Sequence, residues 1–227
     1  VAALGRPDIL GDVDDTEGAG APDERIGAML IATAVGFDAP PATYADFEES
    51  DVIVLAEKAG LVNAVRLRYF NVAGAWPDGS LGEAHPAETH IVPLLLKAAA
   101  KPGAVFTVNG NDYPTPDGTC VRDYVHVGDL ANSHVAAALA LEAGRELRPA
   151  YNLGSGDGLS VKQIMDAMAR VTGIDFVPQI APRRAGDPAR IVADGTAAAA
   201  DLGWRMSYSV DEMVASAWSA RRASGPA

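Results

Sequence analysis

Cysteine occurs once in the 227 residues, at Cys120, which excludes an intramolecular disulfide. No run approaches the roughly 18–20 consecutive apolar residues that a bilayer-spanning helix needs. Basic residues are scarce, with 18 Lys and Arg against 30 Asp and Glu and a formal net charge of −12. Binding to a phosphate backbone rests on lysine and arginine, so general affinity for nucleic acid is excluded. The N-terminal VAALGRPDIL lacks the basic, apolar and small-residue order of a signal peptide. The expectation is a cytoplasmic protein with no nucleic-acid or membrane partner. The chain also starts without methionine, which fits processing or a fragment. What is present is a 48% hydrophobic composition, enough for a packed core in one large domain or two small ones.

The acidity is local. Residues 1–60 carry 13 acidic and 3 basic side chains, a net of −10, and residues 61–227 carry 17 and 15, a net of −2. Residues 5–25 combine glycine, proline and acid with few large apolar groups, so they have little to bury against the entropy of ordering and read as loop or disorder. Residues 26–37 (IGAMLIATAVGF) form an apolar run that periodicity cannot assign to helix or strand. EESDVIVLAEKAG reads as a helix stopped by Gly60.

From residue 61 the signals alternate. AVRLRYFNV is a strand candidate, IVPLLLKAAA a helix, AVFTV a strand, VRDYVHV a strand, and DLANSHVAAALALEAG a helix with Asp129 as its N-cap. PAYNLGSG gives a strand and a glycine turn. LSVKQIMDAMARVTG and SVDEMVASAWSARR are helices whose Ser160–Gln163 and Ser209–Glu212 pairs have capping-box spacing. Strands alternating with helices of this length indicate an α/β protein with a largely parallel sheet.

Three stretches carry the candidate chemistry. In GNDYPTPDGTCVRDYVHVGDLA the turn formers Asn111, Asp112, Pro114, Pro116, Asp117 and Gly118 frame Arg122. A guanidinium held by a rigid loop suits bidentate recognition of phosphate or carboxylate; the plainer alternative is that Arg122 pairs with Asp123 or another acid. In APRRAGDPAR, Arg183 and Arg184 precede Asp187, either as a second anion anchor with a carboxylate for ribose hydroxyls or as a solvated turn. In YNLGSGDGLS the glycines miss the G-x-G-x-x-G spacing, so the stretch reads as a structural strand-to-helix turn capped by Ser160. His85, His90, His126 and His134 have no metal spacing, so no metal site is expected, and no G-x-S-x-G elbow occurs.

LRYFNVAGA, GNDYPTPDGTCVRDYVHVGDLA, YNLGSG and PRRAGD, in this order, resemble the UDP-glucose 4-epimerase family of extended short-chain dehydrogenases, over roughly residues 61–220. The resemblance implies an isomerase of galactose metabolism that interconverts UDP-glucose and UDP-galactose by NAD-dependent oxidation and reduction at the sugar C4. It implies NAD as cofactor, approached by Phe70, and a UDP-sugar as partner. The substrate contacts it implies are Asn71, His90, Ile91, Thr107, Val108, Asn109, Arg122 and Arg184 on the diphosphate, Asp187 towards ribose, and Tyr124 in the same pocket. The implied fold is an incomplete doubly wound, Rossmann-like parallel sheet with a smaller α/β substrate-binding lobe.

The chain departs from the family where the chemistry is hardest. Such a reaction needs a tyrosine acidified by a lysine four residues on, because a phenol near pKa 10 is a poor base at neutral pH. None of the six tyrosines has lysine at that position. Tyr44 lies about where the base belongs, but Glu48 would raise its pKa. No glycine-rich dinucleotide turn occurs in residues 1–60. No catalytic residue is therefore identified. Residues 1–60 are expected to be an atypical acidic segment in place of the NAD-binding half, and residues 61–227 the epimerase-like region. This chain alone is expected to be inactive and NAD retention is doubtful, with a non-catalytic UDP-sugar-binding protein or a remnant as alternatives. Either residues 26–58 cover the open sheet edge or the protein self-associates through it.

Overall fold

The computed structural model describes residues 28–34, 63–83, 88–100 and 105–223. The expected loop over 5–25, the helix over 48–60 and the Tyr44–Glu48 pair lie outside them. No helix among the described residues is long and apolar enough to cross a membrane.

The apolar run at residues 26–37 contains a strand, β1 (Ala28–Ala34), which pairs in parallel along its whole length with β2 (Asn63–Tyr69). On its other side β2 pairs in parallel with β7 (Ala150–Asn152), giving the order β1-β2-β7. Residues 28–34 thus supply β2 with a neighbour. In β2, Ala64, Val65 and Leu67 are buried, and Leu67 meets Val125, Tyr151 and Leu153 in one hydrophobic cluster. The strand is buried at these three positions only, with Asn63 and Arg68 exposed.

The strand expected over VRDYVHV is two. β5 (Val121–Arg122) lies between β10 (Arg190–Ile191) and β8 (Leu159–Ser160), whereas β6 (Tyr124–His126) pairs in parallel with β3 (Asn71–Ala73). Asp123 separates them because its buried carboxylate is drawn to other backbone: it accepts from Ser155 N (2.9 Å), Ser155 Oγ (2.9 Å) and Ala193 N (3.0 Å). A further parallel pair joins β4 (Phe106–Asn109) to β9 (Pro178–Ala181).

Among the described residues, five helices pack on these strands. α1 (Ile91–Ala99) tolerates Pro93 because its first-turn N–H groups have no intrahelical acceptor. α2 (Val127–Glu142) lies over β1 and β2. α3 (Val161–Thr172) buries Ile164, Met165, Ala167 and Met168 on one face, starts with the expected Ser160–Gln163 capping box, and stops at Gly173, whose φ of +72° suits glycine. α4 (Thr196–Leu202) and α5 (Val210–Ala223) follow. At α5 the Ser209–Glu212 box also forms, with Ser209 N donating to Glu212 Oε2 at 2.7 Å. One core gathers α1, α3 and α5 around Leu95, Met168 and Val214, and the other lies under α2 and α4.

The N-cap of α2 is His126, not Asp129. His126 Nδ1 accepts from Gly128 N at 2.9 Å, and the helix is already under way at Asp129. Asp129 instead ties down the distant turn before α5, accepting from Ser207 N, Ser207 Oγ and Tyr208 N at 3.0, 2.6 and 3.1 Å. Capping preference is a local signal, and here a long-range demand for the carboxylate overrides it.

Candidate functional site

A cleft of about 680 Å³ opens where the ends of β2, α1, β4, β5 and β6 meet the segment between β9 and β10. Phe70 and Asn71 reach it from the junction of β2 and β3, His90 and Ile91 from the start of α1, and Thr107, Val108 and Asn109 from β4. Arg122 comes from β5, Tyr124 from β6, and Arg184 and Asp187 from the turn before β10. Every site residue expected from the sequence therefore lines one cavity. Thr89, Leu94, Cys120, Val161 and Ile191 line it too. Cys120 had a readable signal, two positions before Arg122 in an extended run; the apolar ones had none.

The loop framing Arg122 is fixed by its own side chains. Asp117 accepts from Thr119 N and Oγ1 at 2.9 and 2.8 Å, and its other oxygen accepts from Ser160 Oγ. Thr115 Oγ1 donates to Thr119 O at 2.7 Å and Tyr113 N to Gly118 O at 2.8 Å. Gly118 has φ +79°, and a Cβ there would lie 2.1 Å from Asn111 O, so only glycine closes the turn. These bonds hold Asp117 below the usual carboxylate range despite its burial.

Arg122 pairs through Nη2 with Asp187 Oδ1, and its Nη1 donates to Val121 O at 2.7 Å. The partner is thus a distant acid, not the adjoining Asp123. Tyr113 Oη donates to Asp187 Oδ2 at 3.5 Å, and the Arg183 guanidinium carbon lies 4.4 Å from the centre of the Tyr113 ring. Arg183 in turn donates from Nε to Asp112 Oδ1 at 2.7 Å, which holds the Asp112 carboxyl low. So Arg184 faces the cleft while Arg183 braces the loop. Asn71 also serves the frame, its Nδ2 donating to Asp123 O at 2.8 Å.

At the cleft mouth His90 Nδ1 lies 3.0 Å from Glu88 Oε1 and 3.1 Å from Glu83 Oε1. This is the group among the described residues whose ligand atoms could hold a metal ion, all within 4.8 Å. The expectation of no metal site counted histidine and cysteine spacing and left out carboxylates. Glu88 Oε1 also accepts from Thr89 N and His90 N at 2.8 and 2.7 Å, so the cluster caps its own loop.

Among the described residues, the phenols with a perturbed pKa are shifted away from a base's range. Burial pushes Tyr69, Tyr113, Tyr124 and Tyr151 above the ordinary tyrosine range, Tyr124 furthest. A second arrangement, His126 and Ser216 with Nε2 and Oγ 3.0 Å apart, looks like a nucleophile and its base. It is not one. His126 Nδ1 accepts from Gly128 N, so its proton sits on Nε2 and the ring cannot take another from Ser216, whose hydroxyl donates to Met213 O and accepts from Ala75 N.

Residues 49–154 match the sequence model of the NAD dependent epimerase/dehydratase family. Over that stretch the chain is similar to this family. The UDP-glucose 4-epimerase of Lacticaseibacillus casei is 49% identical over 155 residues, 68% of this chain and 46% of that protein. The structure of UDP-glucose 4-epimerase from Brucella ovis in complex with NAD superposes with a TM-score of 0.75 at 35% identity, over 84% of this chain and 64% of that one. The Bifidobacterium longum enzyme in complex with NAD+ and UDP gives 0.73 at 32% identity, over 86% and 64%. The architecture is accordingly the α/β, Rossmann-like fold of these epimerases. The chain spans about half the length of the curated relatives it matches.

The family's cofactor calls for backbone donors at a helix N-terminus after a strand. Among the described residues, α2 and α3 follow strands directly, and their openings are occupied: Gly128 N donates to His126 Nδ1 and Gln163 N to Ser160 Oγ. Of the cleft residues only Phe70 falls where the family resemblance places the nicotinamide. The described residues do not by themselves fit a dinucleotide.

Proposed function

We propose that the cleft binds the nucleoside diphosphate of a UDP-sugar, as the substrate half of a UDP-glucose 4-epimerase. Arg122 and Arg184 neutralise the pyrophosphate, Asp187 meets the ribose, Thr107 to Asn109 flank the uracil, and Asn71, His90, Ile91 and Tyr124 surround the sugar side. The supporting observation is that two arginines from distant parts of the sequence line the same cavity, in a protein whose net charge is −12. Two cationic anchors in a partly enclosed cleft are what a diphosphate requires.

Epimerisation at C4 is the reaction this reading assigns to the complete site. The chain on its own performs the binding part. It has no Tyr-x-x-x-Lys, and the perturbed phenols among the described residues are all raised. Those two observations favour a second reading, a UDP-sugar-binding protein without turnover.

Calorimetry with UDP tests the reading. Binding is expected, weakened roughly 10- to 100-fold by Arg122→Ala and by Arg184→Ala, as loss of a charge-assisted contact implies. Equal affinity in both variants and the parent removes it. Incubation with UDP-galactose and added NAD is expected to give no UDP-glucose; formation of UDP-glucose would favour a complete enzyme over the binding protein.

A further inference from the structure

We propose that Asp187 stands in for a ligand phosphate on Arg122 until a nucleoside diphosphate arrives, and that Tyr113 is the positioning residue that then presents Asp187 to the ribose. The proposal rests on the reading of the cleft as a UDP-sugar site and adds to it an order of exchange and a residue, Tyr113, that discriminates nucleotides from bare diphosphate.

Asp187 Oδ1 occupies the edge of the Arg122 guanidinium that a phosphate oxygen would use. The pair lies on the cleft wall, with the Arg122 and Asp187 side chains 15% and 24% exposed, so water can follow as it opens. Such a pair is held far less tightly than one sealed in a core. Asp187 is also delivered with its rival. Gly186 has φ +78°, and Asp187 N donates to Arg184 O at 3.2 Å, so one tight turn carries both Arg184 and Asp187 into the cleft.

The second carboxylate oxygen is held from the other side. Tyr113 is buried, its ring is covered by Arg183, and its hydroxyl donates to Asp187 Oδ2. When a phosphate takes over Arg122, Oδ2 stays on Tyr113 and Oδ1 is released, facing the cleft as a lone acceptor. A vicinal diol supplies donors for it; inorganic pyrophosphate does not. Pyrophosphate therefore gains nothing from Asp187 and must displace it, whereas UDP displaces it and then re-engages it.

The two ligands separate the contributions. In Asp187→Asn, pyrophosphate is expected to bind about tenfold tighter, because Arg122 is released in advance, and the preference for UDP over pyrophosphate is expected to shrink. In Tyr113→Phe, pyrophosphate affinity is expected to stay within about twofold of the parent while UDP weakens by about three- to tenfold. A purely structural role for Tyr113 would weaken both ligands alike, and that result overturns the positioning role. If UDP binds the parent but Asp187→Asn binds pyrophosphate no more tightly, the exchange is wrong and the cleft reading stands. If pyrophosphate tightens in Asp187→Asn while UDP shows no advantage in the parent, the exchange stands and the uridine reading falls. If neither ligand binds parent or variant, both fall.

Discussion

Asp123 follows Arg122 in the chain and Asp187 pairs with it in space, and the two carboxylates do opposite work. Asp123 is fully buried and its carboxylate accepts from Ser155 and Ala193, which knits β5 to the turns after β7 and β10. Asp187 lies on the cleft wall with one charged and one phenolic partner. The difference teaches that burial and backbone donors mark a carboxylate as part of the frame, while exposure to a cavity and a cationic partner mark one that a ligand can compete with.

Substitutions at the two positions put that contrast at risk. Asp123→Ala is expected to cost about 3–5 kcal/mol in chemical denaturation, because it leaves buried N–H donors on Ser155 and Ala193 without acceptors. A loss under about 1 kcal/mol would contradict the framing role. Gly154→Ala attacks the same knot sterically. Its Cβ would sit 2.3 Å from Asp123 Oδ2 and 2.6 Å from the Ala193 Cβ, so a loss of about 1–3 kcal/mol is expected.

A pH titration sharpens the contrast on the buried side. Burial holds His126 below its ordinary pKa of 6.5, outweighing the opposing pull of Asp129 and Glu212. The unfolded chain then binds the proton more readily than the folded one, so His126 contributes stability that is present above pH 6.5 and lost as pH falls through the lower folded value. The melting temperature should drop on acidification below 6.5, and less steeply in His126→Asn. Identical slopes would assign the acid sensitivity elsewhere. The smallest effect is expected at Asp187→Asn, within about 1 kcal/mol of the parent, since a cleft-wall pair adds little to folding. A loss as large as that of Asp123→Ala would erase the distinction between the two aspartates.

Much of this was legible in the residues. Strand and helix alternation after residue 61, the Ser160 and Ser209 capping boxes and the convergence of Arg122 with Arg184 follow from local patterns and from the family resemblance. Three things were not. The break between β5 and β6 is set by Asp123 partners thirty or more residues away, and a run such as VRDYVHV shows no trace of them. The displacement of Asp129 from the N-cap has the same cause, since its partners lie near residue 207. The Arg122–Asp187 pair required knowing that a turn at Gly186 would bring that carboxylate, rather than the adjoining one, onto the guanidinium.

Asp123 belongs to neither strand it separates, yet it is anchored from two directions. The pull of an anion on Arg122 is therefore met one peptide away by a fixed pivot, before it can reach Tyr124 and the hydrophobic cluster behind β6. In the proposed binding role, the strain of loading would end at that pivot and leave the interior still.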